Sequence, residues 1–85
     1  MYAIQTRRDV LTSDTTINDK TFSGWYAKNE GAADAEVMGI TLAPGETLDM
    51  THVSSPEVVW TSPIQVKCTG TTVVMVRIQY NRKEA

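Results

Sequence analysis

Possible nucleophiles are common among the Ser and Thr residues of this chain, but none is grouped with a base that would activate it. His52 is the only histidine and Cys68 the only cysteine; Ser54 lies two residues after His52 and Asp49 three before it. A hydroxyl or thiol becomes a nucleophile only when a positioned base takes its proton. A pairing of Ser54 or Cys68 with His52 would therefore have to be delivered by the fold, and no nucleophile elbow surrounds either residue. Asp49 and His52 would share a metal ion if a helix set them on one face, but Asp49 falls in a strand-like run that passes into a loop. Two such ligands do not make a site. One thiol and one imidazole also fall short of a structural zinc set. The expectation is no catalysis, no cofactor and no metal, with His52 a surface loop residue.

The aromatic residues carry more potential. Trp25, Tyr26 and Trp60 are the side chains best suited to stack on a sugar ring or anchor a protein contact. In so short a chain they are also the natural bulk of a core. Trp60 reads as core. Trp25 and Tyr26 are adjacent in a strand-like run and so face opposite sides, which makes this pair the expected place for an interface.

The elements that must position these residues read as strands. Tyr2 to Thr6 forms a first strand that closes on Arg7-Arg8-Asp9, followed by a polar loop from Thr12 to Lys20 with a short pairing at Thr15 to Ile17. Thr21 to Lys28 is rich in β-formers, with Gly24 marking a bulge or a close backbone approach. A strand is predicted over Glu36 to Leu42. The turn Ala43-Pro44-Gly45-Glu46 then reverses the chain, Pro44 presetting φ and Gly45 supplying the positive φ of a type II turn, so that Thr47 to Met50 pairs back. Extended structure resumes at Glu57 to Trp60, and Ile64 to Thr69, a turn at Gly70-Thr71 and a long strand from Thr72 to Tyr80 complete the pattern. In that last strand the Val74, Val76, Ile78, Tyr80 face is predicted to be core. The Val73, Met75, Arg77, Gln79 face begins apolar and turns polar, its Val73 and Met75 end awaiting a second sheet or a second subunit.

About six to eight short strands with frequent turn signals predict an all-β fold, a small antiparallel β-sandwich or jelly-roll-like barrel. The 85 residues make one β domain, 1–85, with 1–9 and 80–85 as extended arms. A domain of this size buries only about 60–65% of its unfolded surface, so stability from partners is expected. No apolar run approaches the roughly 18 residues of a membrane span, and Met1 to Gln5 does not open a basic-then-apolar leader. No membrane partner is expected.

The net charge of −2 is unevenly spread. Between Asn29 and Val66 lie Glu30, Asp34, Glu36, Glu46, Asp49 and Glu57 and no Lys or Arg, while all eight basic residues flank that segment. Either ends and middle neutralise each other within one subunit, which is the first expectation, or basic ends dock on the acidic middle of a neighbour. The pair Arg82-Lys83 is too small a basic cluster to imply a nucleic-acid partner.

The runs Asn29-Glu30-Gly31, Val37-Met38-Gly39-Ile40-Thr41-Leu42-Ala43-Pro44-Gly45-Glu46, Trp60-Thr61-Ser62-Pro63-Ile64-Gln65-Val66 and Thr69-Gly70 resemble a pattern of small virion proteins of tailed bacteriophages. The likeness spans about Phe22 to Tyr80 and consists of turn chemistry and strand alternation. It implies a non-enzymatic virion protein, assembled in the host cytoplasm, that binds the major capsid protein or other virion proteins as a capsid decoration or cement protein. It also implies a homo-oligomer, a trimer by preference. The alternatives are a glycan- or receptor-binding module of a head fibre or tail, or a small neck or tail protein. On the decoration reading the contacts would come from the arms, through Tyr2, Ile4, Arg7, Arg8, Arg82 and Lys83, with Trp25 and Tyr26 as anchors.

Overall fold

β-Branched and aromatic residues at alternate positions, broken by Gly and Pro, give strands and turns throughout. The computed structural model describes residues 1–52, 55 and 57–82. Its strands are β1 (Tyr2–Leu11), β2 (Thr15–Ile17), β3 (Gly24–Asn29), β4 (Ala35–Val37), β5 (Ile40–Leu42), β6 (Thr47–Met50), β7 (Ile64–Lys67) and β8 (Val73–Arg82), with no helix among the described residues. They form two antiparallel four-stranded sheets, ordered β1-β8-β3-β6 and β2-β7-β4-β5. The expected small β-sandwich is therefore the observed fold, and the short pairing at Thr15 to Ile17 is β2.

The core lies between the sheets. Trp25, Ala27, Val73 and Met75 of the first sheet meet Ala35, Val37, Leu42, Ile64 and Val66 of the second, and Trp60 stands edge-on to Trp25 with ring centroids 5.5 Å apart. Burying each Val or Ile of this set contributes roughly 1.5–3 kcal/mol. β8 corrects the sequence reading. Its core face is Val73, Met75 and Arg77, whereas Val76, Ile78 and Tyr80 are half-buried on the outward side.

Two turns depart from expectation. The predicted strand over Glu36 to Leu42 is a hairpin: Met38 (φ 52°) and Gly39 (φ 78°) form a two-residue loop between Val37 and Ile40. Positive φ at both central positions is the type I′ geometry that suits strand twist. Met38 is half-exposed and its side chain gains little from that backbone, so Met38→Asn is expected to raise stability by about 1 kcal/mol, read from the urea midpoint. The Pro44-Gly45 turn forms as predicted, with Gly45 at φ 87° and the Glu46 N–H donating to the Ala43 carbonyl at 2.9 Å. It does not pair the strands on either side, however. β5 lies in the second sheet, while β6 crosses to pair with β3 in the first. Glu57 to Trp60 is likewise not a strand, although the Trp60 N–H donates to the Phe22 carbonyl at 2.9 Å.

The ends differ most from expectation. Tyr2 to Leu11 pairs with β8 along its whole length, from Tyr2 opposite Arg82 to Leu11 opposite Val73. Within the segments expected as extended arms, residues 2–9 and 80–82 are paired in two strands of one ladder; 83–85, with Lys83, lie outside the described residues. The β3 ladder on β8 begins only at Gly24 opposite Ile78, so Tyr2–Gln5 and Gln79–Arg82 run past it as a two-stranded ribbon. The molecule measures 47 × 19 × 19 Å.

Candidate functional site

The residues capable of covalent chemistry remain apart in role and setting. His52 is exposed after β6. Cys68 is buried at the end of β7, its S–H donating to the Ser13 carbonyl at 2.9 Å and its N–H to Asp14 Oδ1 at 3.1 Å. Burial, then the Asp14 carboxylate, push its thiol pKa up, the opposite of what an activated nucleophile needs. Ser54 lies outside the described residues. Asp49 accepts from the Thr51 hydroxyl and N–H, which hold its pKa below the usual range, in that order of effect. No group of three His, Cys, Asp or Glu converges among the described residues.

The expected interface residues other than Lys83, which lies outside the described residues, fall on one sheet, but not all on its surface. Trp25 is completely buried and presents nothing to a partner, which corrects its assignment as an anchor. Tyr26, on the opposite side of β3, is half-buried. Ile4 is 65% exposed, Arg7, Arg8 and Arg82 are exposed, and the Tyr2 hydroxyl donates to Glu57 Oε1 at 3.0 Å. Glu57 raises the Tyr2 pKa through that bond.

Alternation then sorts the two outer surfaces. Outward on the first sheet stand Ile4, Val10, Val74, Val76, Ile78, Tyr80 and Tyr26, with Lys28 among them on an inner strand and Thr6, Arg8, Thr47, Asp49 and Arg82 around them. Outward on the second sheet stand Thr16, Gln65, Lys67, Glu36 and Thr41. One face is mainly apolar and the other is polar throughout.

Beside the sandwich, an open cleft of about 550 Å³ is lined by Met50, Val58, Val59 and Trp60 together with the polar Asp49 and His52. Its apolar walls and one indole make it the place where a sugar ring would fit best. The indole N–H of Trp60 is buried without a partner among the described residues, so it faces the interior rather than the cleft.

The sequence reading missed two buried polar residues. Arg77 is 6% exposed and reaches Asp9 Oδ2 at 2.7 Å and Asp19 Oδ2 at 3.3 Å. Asn29 is 0% exposed and uses every hydrogen-bonding group it has. The Asn29-Glu30-Gly31 run flagged the second; an arginine among alternating apolar residues was the only sign of the first. The four ion pairs among the described residues are Arg7–Asp9, Lys28–Glu30, Arg77–Asp9 and Arg77–Asp19. Only Lys28–Glu30 joins a flank to the acidic middle, so intramolecular neutralisation is slight.

Compared with protein-family models, with curated proteins and with solved structures, the chain matches none of them.

Proposed function

We propose that this chain is a non-enzymatic structural protein of a virion, a decoration or cement protein that binds neighbouring capsid subunits. The observation that supports this is the ribbon Tyr2–Gln5 with Gln79–Arg82, paired with each other and, among the described residues, with no third strand. Isolated two-stranded ribbons are marginal in water, and this one carries Met1 at 94% and Ile4 at 65% exposure. A projecting ribbon with an unpaired edge is suited to adding strands or apolar contacts to a neighbour. The resemblance in turn pattern supplies the kind of neighbour, and the polar second sheet supplies a surface fit to face solvent.

Mixing the purified protein with undecorated capsids and, separately, with a glycan array separates this reading from its alternative. Stoichiometric capsid binding without glycan signal supports it; glycan binding without capsid binding would assign the function to the cleft beside Trp60 instead. Because Ile4 is so exposed, Ile4→Asp is expected to leave the urea midpoint within about 0.5 kcal/mol of the parent in stability. The same change should reduce capsid occupancy at least ~10-fold, since a carboxylate would have to be buried against the neighbour.

A further inference from the structure

The outward face of the first sheet can be laid out in rows from the strand registers. Arg8 stands opposite Val76, Val76 opposite Tyr26, and Tyr26 opposite Asp49. One transverse row thus runs from a guanidinium on the β1 edge, through two packing side chains, to a carboxylate on the β6 edge. The next row is Val10, Val74, Lys28 and Thr47. In the row beyond Arg8, the Thr51 backbone lies 3.2 Å from where a side chain at Gly24 would begin. The part of the face clear of Thr51 is therefore the two rows centred on Val76, which is half-buried, and Val74, which is 9% exposed.

β8 is apolar on both sides, the pattern of a strand covered on both sides, yet among the described residues no strand packs over this one. Val10 is 52% exposed there. Arg8 and Asp49 take part in no ion pair among the described residues.

We propose that a second copy of this chain covers this face, related by a twofold axis parallel to the strands. Rotation about such an axis carries the β1 edge of one copy over the β6 edge of the other. Arg8 then lies over Asp49 of the second copy and Asp49 over its Arg8, while Val76 and Tyr26 pack on Tyr26 and Val76 between them. Packed sheets sit ~10 Å apart and cross at roughly −30°, and a row close to the axis is displaced least by that crossing. A twofold perpendicular to the strands would set Arg8 against Arg8, so the Arg8–Asp49 pairing selects the axis. With the parallel axis Lys28, paired with Glu30 at 3.4 Å, lies over Val74 of the second copy. The interface is isologous and gives a dimer, in place of the trimer that the turn pattern suggests. It leaves the ribbon tip and the polar second sheet free, and it holds whatever the ribbon attaches to.

The test uses the full chain alone, by light scattering across a dilution series, with circular dichroism to verify folding of each variant. The parent is expected at twice the chain mass. Arg8→Glu and Asp49→Lys should each weaken the dimer at least ~10-fold by opposing like charges. An equimolar mixture of the two variants, or both changes in one chain, should restore it, because each arrangement again pairs opposite charges. Asp49→Asn keeps an oxygen for the Thr51 N–H and loses only the charge; it should weaken the dimer less, and it serves if Asp49→Lys fails to fold. A parent that stays monomeric, a trimer, or a dimer indifferent to all three single changes would overturn the proposal. Since no capsid is present, that outcome is separate from the fate of the ribbon reading.

Discussion

Asn29→Ala is expected to cost about 4 kcal/mol of stability. The Asn29 amide donates to the Ala33 carbonyl at 2.7 Å and the Leu42 carbonyl at 2.9 Å, and its oxygen accepts from the Gly31 N–H at 3.0 Å and the Thr71 hydroxyl at 2.6 Å. Its backbone adds the Pro44 turn, donating to the Glu46 carbonyl at 3.0 Å and accepting from the Gly45 N–H at 2.8 Å. One side chain on β3 thereby ties together the loop before β4, the end of β5 and the loop before β8, across both sheets. Each bond is worth about 1 kcal/mol net, and buried partners left unsatisfied cost more. A loss of about 4 kcal/mol follows, against a total stability of roughly 4–13 kcal/mol for a domain this long. Gly31 belongs to the same latch, since a Cβ there would collide with the Thr71 hydroxyl and the Thr71–Thr72 backbone. Asn29→Asp separates hydrogen bonding from volume: its size is unchanged, but it sets an oxygen against the two carbonyls. Urea midpoints decide the matter, and an Asn29→Ala midpoint within error of the parent would remove the latch from the account.

The latch residues were visible in the sequence as turn chemistry, but their joint role was not. Asn29-Glu30-Gly31 reads as a strand end, and Thr69-Gly70-Thr71 reads as a tight turn; nothing in either run says that 42 residues on, Thr71 returns to Asn29. The same limit explains the Pro44-Gly45 turn. Proline and glycine set local dihedrals, and those dihedrals are as described, yet whether the flanking strands pair or part to different sheets depends on β3 being available to β6. At Met38-Gly39 the turn chemistry was half present. Gly39 was read as part of a strand because Met38, unlike Asn or Asp, does not announce positive φ.

The faces were harder to read than the strands. In β8 both sets of alternate residues begin apolar, so period-two alternation carries no sign for inside and outside. The sign comes from elsewhere: Asp9 and Asp19 neutralise Arg77 and allow the Val73, Met75, Arg77 face to turn inward. Assigning that face to the core is what turns Val74, Val76, Ile78 and Tyr80 outward, Val74 still buried by its neighbours in the sheet and the other three half-buried. It turns a predicted core stripe into the candidate contact face. Trp25 follows the same logic, since the register places it opposite Arg77 and hence on the inner side. The adjacency of Trp25 and Tyr26 fixed that one points in and one out, and only the sheet order decided which.

Arg77→Ala is expected to cost about 3 kcal/mol, the lower end for removing one partner from a buried ion pair. The low end applies because Asp9 and Asp19 keep 24% and 37% of their side-chain surface exposed, and Arg7 stays within 3.5 Å of Asp9. The guanidinium also lies over Phe22, 5.5 Å from the ring centroid, and its Nε has no partner among the described residues. That orphaned group means the charged arrangement is not optimal for stability. Arg77→Met combined with Asp9→Leu should therefore cost less than Arg77→Ala alone, because it removes the closer of the two ion pairs, fills the space and leaves behind only the more exposed carboxylate, Asp19. The acid limb gives a second readout. Asp19 has its pKa lowered first by the Thr21 hydroxyl bond and then, less strongly, by the Thr21 N–H and Arg77. A carboxylate with a depressed native pKa binds protons more readily when unfolded. Its contribution is present above the ordinary aspartate range and is lost as pH falls through the lower native value. The fall in urea midpoint from pH 5 to pH 2 should thus be steepest in the parent, shallower in Arg77→Ala and shallower again in Thr21→Ala. If Arg77→Ala matched the parent at neutral pH, the guanidinium would be a passenger on the β8 inner face, and the assignment of that face to the core would rest on Val73 and Met75 alone.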